Sequence, residues 1–401
     1  MAEAPSGQPS AAAPALPLAG RRIAEVLATS TGGVGTHVRS VLPGVGAAGA
    51  GVTVCGPADT ERLFAFTHAG AGFRPVEISA GLAPLADLRA VAALRRACAG
   101  ADLVHAHGLR AGLVAALALR GARSAARRAS GGHVPLVLTL HNALPDGGGT
   151  VRRVLQQVER ATVRAADMVL AASDDLADNA RRLGGRDVRT APVSAPPLPP
   201  PARSRDDVRA ELGLADGRPL VVAVGRLHPQ KGYDVLLDAA GRWTDDPRLP
   251  APPLVAIAGD GPLHDELAAR IAGASLPVRL LGRRADVADL LAAADLCVLP
   301  SRWEARSLTA QEALRSGTPL VATRTGGLPG LLGGAAELVP VGDAAALADA
   351  VAGVLADPER AARLTAAGRA QAATWPDEAA TARQLVAVYR ELLGPPGDRS
   401  S

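Results

Sequence analysis

Cysteine and aromatic residues are scarce in this 401-residue chain, and lysine is scarcer still. Cys55, Cys98 and Cys297 lie far apart, with no Cys-x-x-Cys and no Cys/His cluster. That excludes a disulfide framework and a structural zinc site, and it fits a reducing compartment. No window of about 18 uninterrupted apolar residues occurs, so no spanning helix is predicted. Residues 1–20 lack the basic start and continuous apolar core of a signal peptide, and a disordered tail is expected there. Asp-x-Asp is absent, and no His/Asp/Glu group has metal spacing along the chain, so no metal and no bound cofactor is expected. The expected location is cytoplasmic.

What remains is 48% apolar and 20% charged over 401 residues, enough for two domains with separate cores. Short apolar runs recur between helical patterns, at Ile23–Ala28, Val52–Cys55, Leu103–Ala106, Leu136–Leu140 and Met168–Ala172. They recur again at Leu220–Val224, Leu254–Ala258, Val278–Leu281, Leu296–Leu299 and Leu320–Ala322. Continuous apolar runs are how buried parallel strands read, and strand–helix alternation gives sheets covered on both faces. The fold class is therefore α/β, with two doubly wound, Rossmann-like domains. The first covers 21–192, a proline-rich linker 193–205 and the second domain 206–376, before a terminal helix over 377–393. Charge divides unevenly: 21 arginines against 14 acids give +7 up to residue 192, and 22 basic against 25 acidic residues give −3 beyond it. Arginine-rich segments such as 151–164 suit an anionic or lipid-linked acceptor, or peripheral contact with an anionic membrane surface. Arginine bias on solvated faces explains the same residues, and nucleic acid is not an expected partner.

Ligands of open parallel sheets bind beyond the carboxyl ends of the strands, so residues just after strands carry the functional reading. The first strand runs into Thr31-Gly32-Gly33-Val34-Gly35-Thr36-His37, a loop opening a helix, where backbone N–H groups hold an anion. A dinucleotide fingerprint fails here, because Val38 replaces its third glycine and the next strand ends at Gly56 without an acid. In the second half, Arg226 follows a strand and Lys231, the chain's sole lysine, precedes a helix. Two cations so placed suit a diphosphate and stabilise charge developing on a leaving group. Glu304 and Glu312 flank a helix start and suit hydroxyl pairs of sugar and ribose, while the N–H groups around Arg306, Ser307 and Leu308 suit phosphate. Thr309 to Glu312 also spells a capping box. His141 follows a strand and suits a hydrogen-bond donor or transition-state dipole at a reacting sugar. His105 and His107 close another strand on one face, where packing or cleft shaping is favoured over metal ligation.

TGGVGTHV, DLVHAHG, the TLH element, GRLHPQKGYDVLLDA, AGDGP, LGRRADVADLLAAADLCVLPS and the pair Glu304/Glu312 before GTPLVAT together resemble the family 4 glycosyltransferases from about residue 21 to 393. The resemblance implies the GT-B architecture and retaining sugar transfer from a nucleoside-diphosphate sugar, a co-substrate, to an acceptor hydroxyl. It implies Arg226 and Lys231 on the diphosphate, Glu304 on the donor sugar, Glu312 on the ribose and His141 near the transferred sugar. Gly33 would allow close donor approach, Arg283 would lie by the base, and the terminal helix would brace the first domain. Gly330 stands where the family often has an acid, Pro192-Val193-Ser194 where it often has Asn-Gly, and Ala305-Arg306 where it often has a glycine-containing pair, from which an arginine adds a donor or acceptor contact. The alternatives are a non-catalytic nucleotide-sugar-binding assembly protein, and an epimerase or phosphorylase of similar architecture.

Overall fold

The computed structural model describes residues 16–394, apart from 31, 80, 82, 123–132, 145–148, 192 and 215–216. In the first domain, β1 (Arg22–Leu27), β2 (Gly51–Gly56), β3 (Gly72–Pro75), β4 (Leu103–His107), β5 (Leu136–Leu140), β6 (Met168–Ala171) and β7 (Val188–Thr190) form one sheet. Its order is β3-β2-β1-β4-β5-β6-β7. In the second, β8 (Leu220–Val224), β9 (Leu254–Ala258), β10 (Val278–Leu280), β11 (Leu296–Leu299), β12 (Leu320–Thr323) and β13 (Glu337–Val339) run β10-β9-β8-β11-β12-β13. The pairings are parallel throughout, for example Ile23 with Leu103 and Val222 with Cys297. Each sheet reverses direction once, between β1 and β4 and between β8 and β11. A crevice opens at such a reversal beyond the strand ends.

Successive residues of a central strand serve opposite cores. Ala24, Val26, Val104 and Leu138 pack on one face of the first sheet, while Ile23, Leu27, Leu103 and Val137 pack on the other. The second sheet divides in the same way, with Val221, Val255 and Val298 opposite Val222, Ala256 and Cys297. Two-sided burial is why these strands read as unbroken apolar runs. The sequence reading passes over β3, β7 and β13. Each lies at the margin of a sheet, is only 3 or 4 residues long and is partly exposed, so no apolar run marks it.

The terminal helix Glu378–Leu393 starts at Asp377, whose side chain accepts from Ala380 N–H at 2.6 Å. It lies on the helix Gly33–Ala47 and adds Leu385, Val388 and Tyr389 to a core of the first domain. The two helices touch at Gly44, where a Cβ would stand 2.5 Å from that of Ala382.

One expected boundary changes. Of the tail expected over 1–20, residues 1–15 lie outside the described residues, whereas Leu18 is buried and its N–H donates to Ala48 O at 2.8 Å. An apolar side chain with a core position available is more stable buried than trailing in water. The proline-rich segment 193–205 is held against the second domain. Ala195 N–H donates to Gln311 Oε1 at 3.0 Å and Ala202 N–H to Asp289 Oδ1 at 2.7 Å, strapping it along the second domain.

Gly44→Leu will force these helices apart. Overpacking of this kind costs roughly 1–3 kcal/mol, and urea unfolding followed by circular dichroism will show the loss as a lower midpoint.

Candidate active site

The second domain builds its half of the site where its sheet reverses. After β8 the chain turns through Gly225, whose carbonyl accepts from the buried Tyr233 hydroxyl at 3.2 Å, and then exposes Arg226. No hydrogen bond or ion pair among the described residues engages the Arg226 guanidinium. Lys231 ends the short 3-10 turn Pro229–Lys231, and Gly232 follows with φ +65. A Cβ at Gly232 would lie 2.1 Å from Pro300 O, so only glycine lets the turn rest against the end of β11. That closeness joins Lys231 to the loop after β11: its Nζ donates to Glu304 Oε1 at 2.5 Å, and Ser301 Oγ donates to the same oxygen at 2.8 Å.

The helix Leu308–Ser316 begins at Ser307, whose Oγ accepts from Ala310 N–H at 3.3 Å, and ends at Gly317 with φ +77. Its first N–H groups have no intrahelical acceptor and favour an anion. Ser307 being the cap, the capping-box alternative for Thr309 and Glu312 fails, because the Thr309 hydroxyl donates instead to Val224 O at 3.1 Å. Glu312 is partly buried and accepts no hydrogen bond among the described residues. Burial pushes its carboxyl up, against the opposing pull of Arg315.

The first domain faces this half with Gly33 and with the residues closing β4 and β5. A Cβ at Gly33 would lie 3.4 Å from Leu308 Cδ1, so the glycine turn meets the start of the opposite helix. The domains also touch where Trp303 Nε1 donates to Asp175 Oδ2 at 3.2 Å. Behind the turn lies a buried polar cluster. Glu25 Oε2 stands 2.8 Å from His107 Nε2, and Glu25 Oε1 accepts from the Tyr389 hydroxyl at 2.8 Å. His105 lies 2.6 Å from Tyr389 through Nδ1 and 2.6 Å from Thr139 Oγ1 through Nε2, while His107 Nδ1 lies 3.2 Å from His141 Nε2. The His37 ring stands edge-on to those of His107 and His141.

Burial holds His107 down at about 4, helped by His105, and His37 at about 3, helped by His107. His141 is driven well below its ordinary range by burial and then by His107. For Glu25, burial works to raise the carboxyl, but attraction to His105 and hydrogen bonds from His105 and His107 outweigh it and keep the group ionised.

The structure thus brings Lys231, Glu304, Ser307 and Leu308 together, with Arg226 and Glu312 at the same sheet edge, and places Gly33 across from Leu308. Arg283 is exposed after β10, at the same edge of the second sheet. Thr31 lies outside the described residues. The Arg306 side chain does not face the cleft: Nε donates to Val193 O at 2.8 Å, the guanidinium lies 5.8 Å from the Trp375 ring centre, and burial, then Arg315, lowers it to about 10. The contact proposed for it with donor or acceptor is therefore corrected to a hold on the linker. At Gly330 a Cβ would meet nothing within 4 Å, so packing does not demand the missing side chain.

Sequence reasoning missed Glu25, His37, Thr139 and Tyr389. An acid inside an otherwise apolar strand was the available signal for Glu25. Spacing along the chain also concealed that Glu25, His105 and His107 bring ligand atoms within 4.8 Å of one another. These atoms are engaged in hydrogen bonds to one another or to Tyr389.

Residues 32–196 match the family described as glycosyl transferase 4-like domain, and residues 218–357 that described as glycosyl transferases group 1. The chain is 30% identical to alpha-maltose-1-phosphate synthase of Mycobacterium tuberculosis, over 90% of its own length and 96% of the relative's. The chain belongs to the family 4 glycosyltransferases. Another relative, the lipopolysaccharide core mannosyltransferase LpsB of Rhizobium meliloti, is 32% identical over 48% of this glycosyltransferase, which spans only 57% of that protein. Among solved structures, Anabaena HepE in complex with UDP-glucose shares the fold at a TM-score of 0.75 and 22% identity, covering 92% of this chain and 99% of that one. The two facing sheets of this glycosyltransferase form the GT-B architecture.

The histidine cluster fixes a sign for the acid response of this glycosyltransferase. His37 and His107 titrate near 3 and 4 when folded, against 6.5 when free. As pH falls, the unfolded chain binds protons first. Their stabilisation is complete above 6.5 and drains away between there and about 4 for His107 and about 3 for His37, at roughly 1.4 kcal/mol per pH unit for each histidine. Urea unfolding across that range will show the slope, and it will flatten in His37→Phe.

Proposed function

We propose that this glycosyltransferase moves a sugar from a nucleoside-diphosphate sugar to an acceptor hydroxyl, with retention and without a metal. What carries the reading is the meeting of Arg226, Lys231, Glu304, Glu312 and the N-terminus of Leu308–Ser316 where the second sheet reverses. Arg226, with no partner among the described residues, and Lys231 supply positive charge to a diphosphate, joined by the free N–H groups of the helix. That removes the need for a cation on the leaving group. Glu304 receives hydroxyls of the transferred sugar, and Glu312, whose carboxylate accepts no hydrogen bond among the described residues, receives those of the ribose. Arg283 lies by the base. His141 reaches the sugar from the opposite domain, and the departing phosphate accepts the proton of the incoming hydroxyl. The UDP-glucose held by HepE supports this class of donor.

The acceptor enters from the basic first domain. The helices Leu109–Ala122 and Gly149–Ala165 frame an open apolar groove of about 410 Å³ lined by Leu113, Val154, Val158 and Ala161, with Arg153 beside them. Val151 is 73% exposed on the same helix, near Arg152 and Arg153. Apolar and cationic side chains together support an anionic or lipid-linked acceptor and peripheral contact with an anionic membrane surface. No described helix is long and apolar enough to cross a membrane.

A thermal-shift screen of UDP-, GDP- and ADP-sugars will identify the donor, since a ligand at 100 times its Kd stabilises by about 2.7 kcal/mol. With it, Lys231→Ala and Glu304→Ala will each lower kcat by about a hundredfold or more while circular dichroism is unchanged. NMR of the product will show the donor's anomeric configuration in the new bond. Near-normal transfer by either variant, isomerised free donor, or binding without turnover would each remove the reading.

A further inference from the structure

We infer that Glu25, acting through His107, fixes the tautomer of His141 so that His141 offers the cleft a bare Nδ1, a hydrogen-bond acceptor. The inference rests on the proposed placement of His141 beside the transferred sugar. It reverses the donor role that a histidine after a strand first suggests.

The proton count leaves one arrangement. An ionised carboxylate only accepts. Glu25 is 1% exposed and lies 2.8 Å from His107 Nε2, so that nitrogen carries a hydrogen. His107 is buried and neutral, which leaves its Nδ1 bare. His141 Nε2, 3.2 Å away, therefore donates to it. His141 is neutral as well, so its own Nδ1 has no proton. Among the described residues that Nδ1 has no partner, yet unlike His37 Nδ1 it is not among the sealed, unsatisfied atoms. His141 directly follows β5, at the cleft edge of the sheet, and retains 9% exposure.

Ring packing holds the direction. The His107 and His141 rings lie 5.5 Å apart with 25° between their planes, and His37 closes on both from the side. On the far side of Glu25, Tyr389 donates to Oε1 at 2.8 Å and His105 Nδ1 stands 3.3 Å from Oε2. Glu25 and His107 are thus positioning residues, remote from substrate. A bare nitrogen orders a sugar O–H, whereas an N–H would need an oxygen lone pair, so the two tautomers select different orientations of the same hydroxyl.

The test is long-range ¹H–¹⁵N NMR of histidine-labelled protein at pH 7, combined with kinetics. In the native chain both His107 and His141 will carry the proton on Nε2. His107→Gln preserves the polarity, its amide N–H toward Glu25 and its carbonyl toward His141, so His141 will keep that tautomer. His107→Leu and Glu25→Gln will populate the Nδ1–H form, with kcat at least about tenfold below His107→Gln and donor KM changed less than about threefold. If one variant fails to fold, the native spectrum and the other variants still decide. A proton on His141 Nδ1 in the native chain would overturn the inference. So would equal kcat in His107→Gln and His107→Leu, or a stoichiometric metal ion on Glu25, His105 and His107, which would strip the proton from His107 Nε2. Correct tautomers in a chain that transfers no sugar would leave the relay standing and remove the proposed function instead.

Discussion

The contact between the only lysine and Glu304 is the constraint around which the second domain's site is arranged. It joins the turn after β8 to the loop after β11 across the reversal of the sheet, 73 residues apart in sequence. Both charges are largely withdrawn from water, and a half-made pair in such a place would be costly. Everything that lets the pair form is therefore tightly specified: the left-handed Gly232, the Ser301 hydroxyl on the same carboxylate oxygen, and Gly327 N–H donating to Glu304 O at 2.9 Å. In the proposed reaction an entering diphosphate would compete with Glu304 for Lys231, leaving the carboxylate to accept from sugar hydroxyls.

How far the sequence reveals this depends on how local each signal is. The central strands are legible because burial on both faces forces an unbroken apolar run, as at Leu136–Leu140 and Leu254–Ala258. Strands at the sheet margins have no such requirement and leave no run. Candidate residues in the segments that follow strands, such as Arg226, His141 and Glu304, are legible for a related reason, since topology alone carries a strand end to the cleft. Arg306 sits among them in sequence, but its direction is decided by the linker folding over the helix, a contact 113 residues away. Glu25 and Tyr389, 364 residues apart, meet only because the last helix returns to the first domain. No local pattern records that meeting.

The two halves of the site differ in character. The second domain presents charge at its surface, with Arg226 exposed and Lys231 partly so. The first presents the buried rings of His37, His107 and His141, whose protonation burial opposes, over the buried carboxylate of Glu25. Withdrawal of Glu25 from water strengthens each hydrogen bond it accepts.

Tyr389 lies 364 residues after Glu25, yet its hydroxyl donates to that carboxylate in the first strand. All strands of the first sheet are synthesised before this helix, so until the helix packs back Glu25 has His107 and His105 beside it but not Tyr389. The returning helix thereby couples synthesis of the second domain to the final packing of the first, and a chain truncated before Tyr389 would leave one buried carboxylate oxygen without its donor.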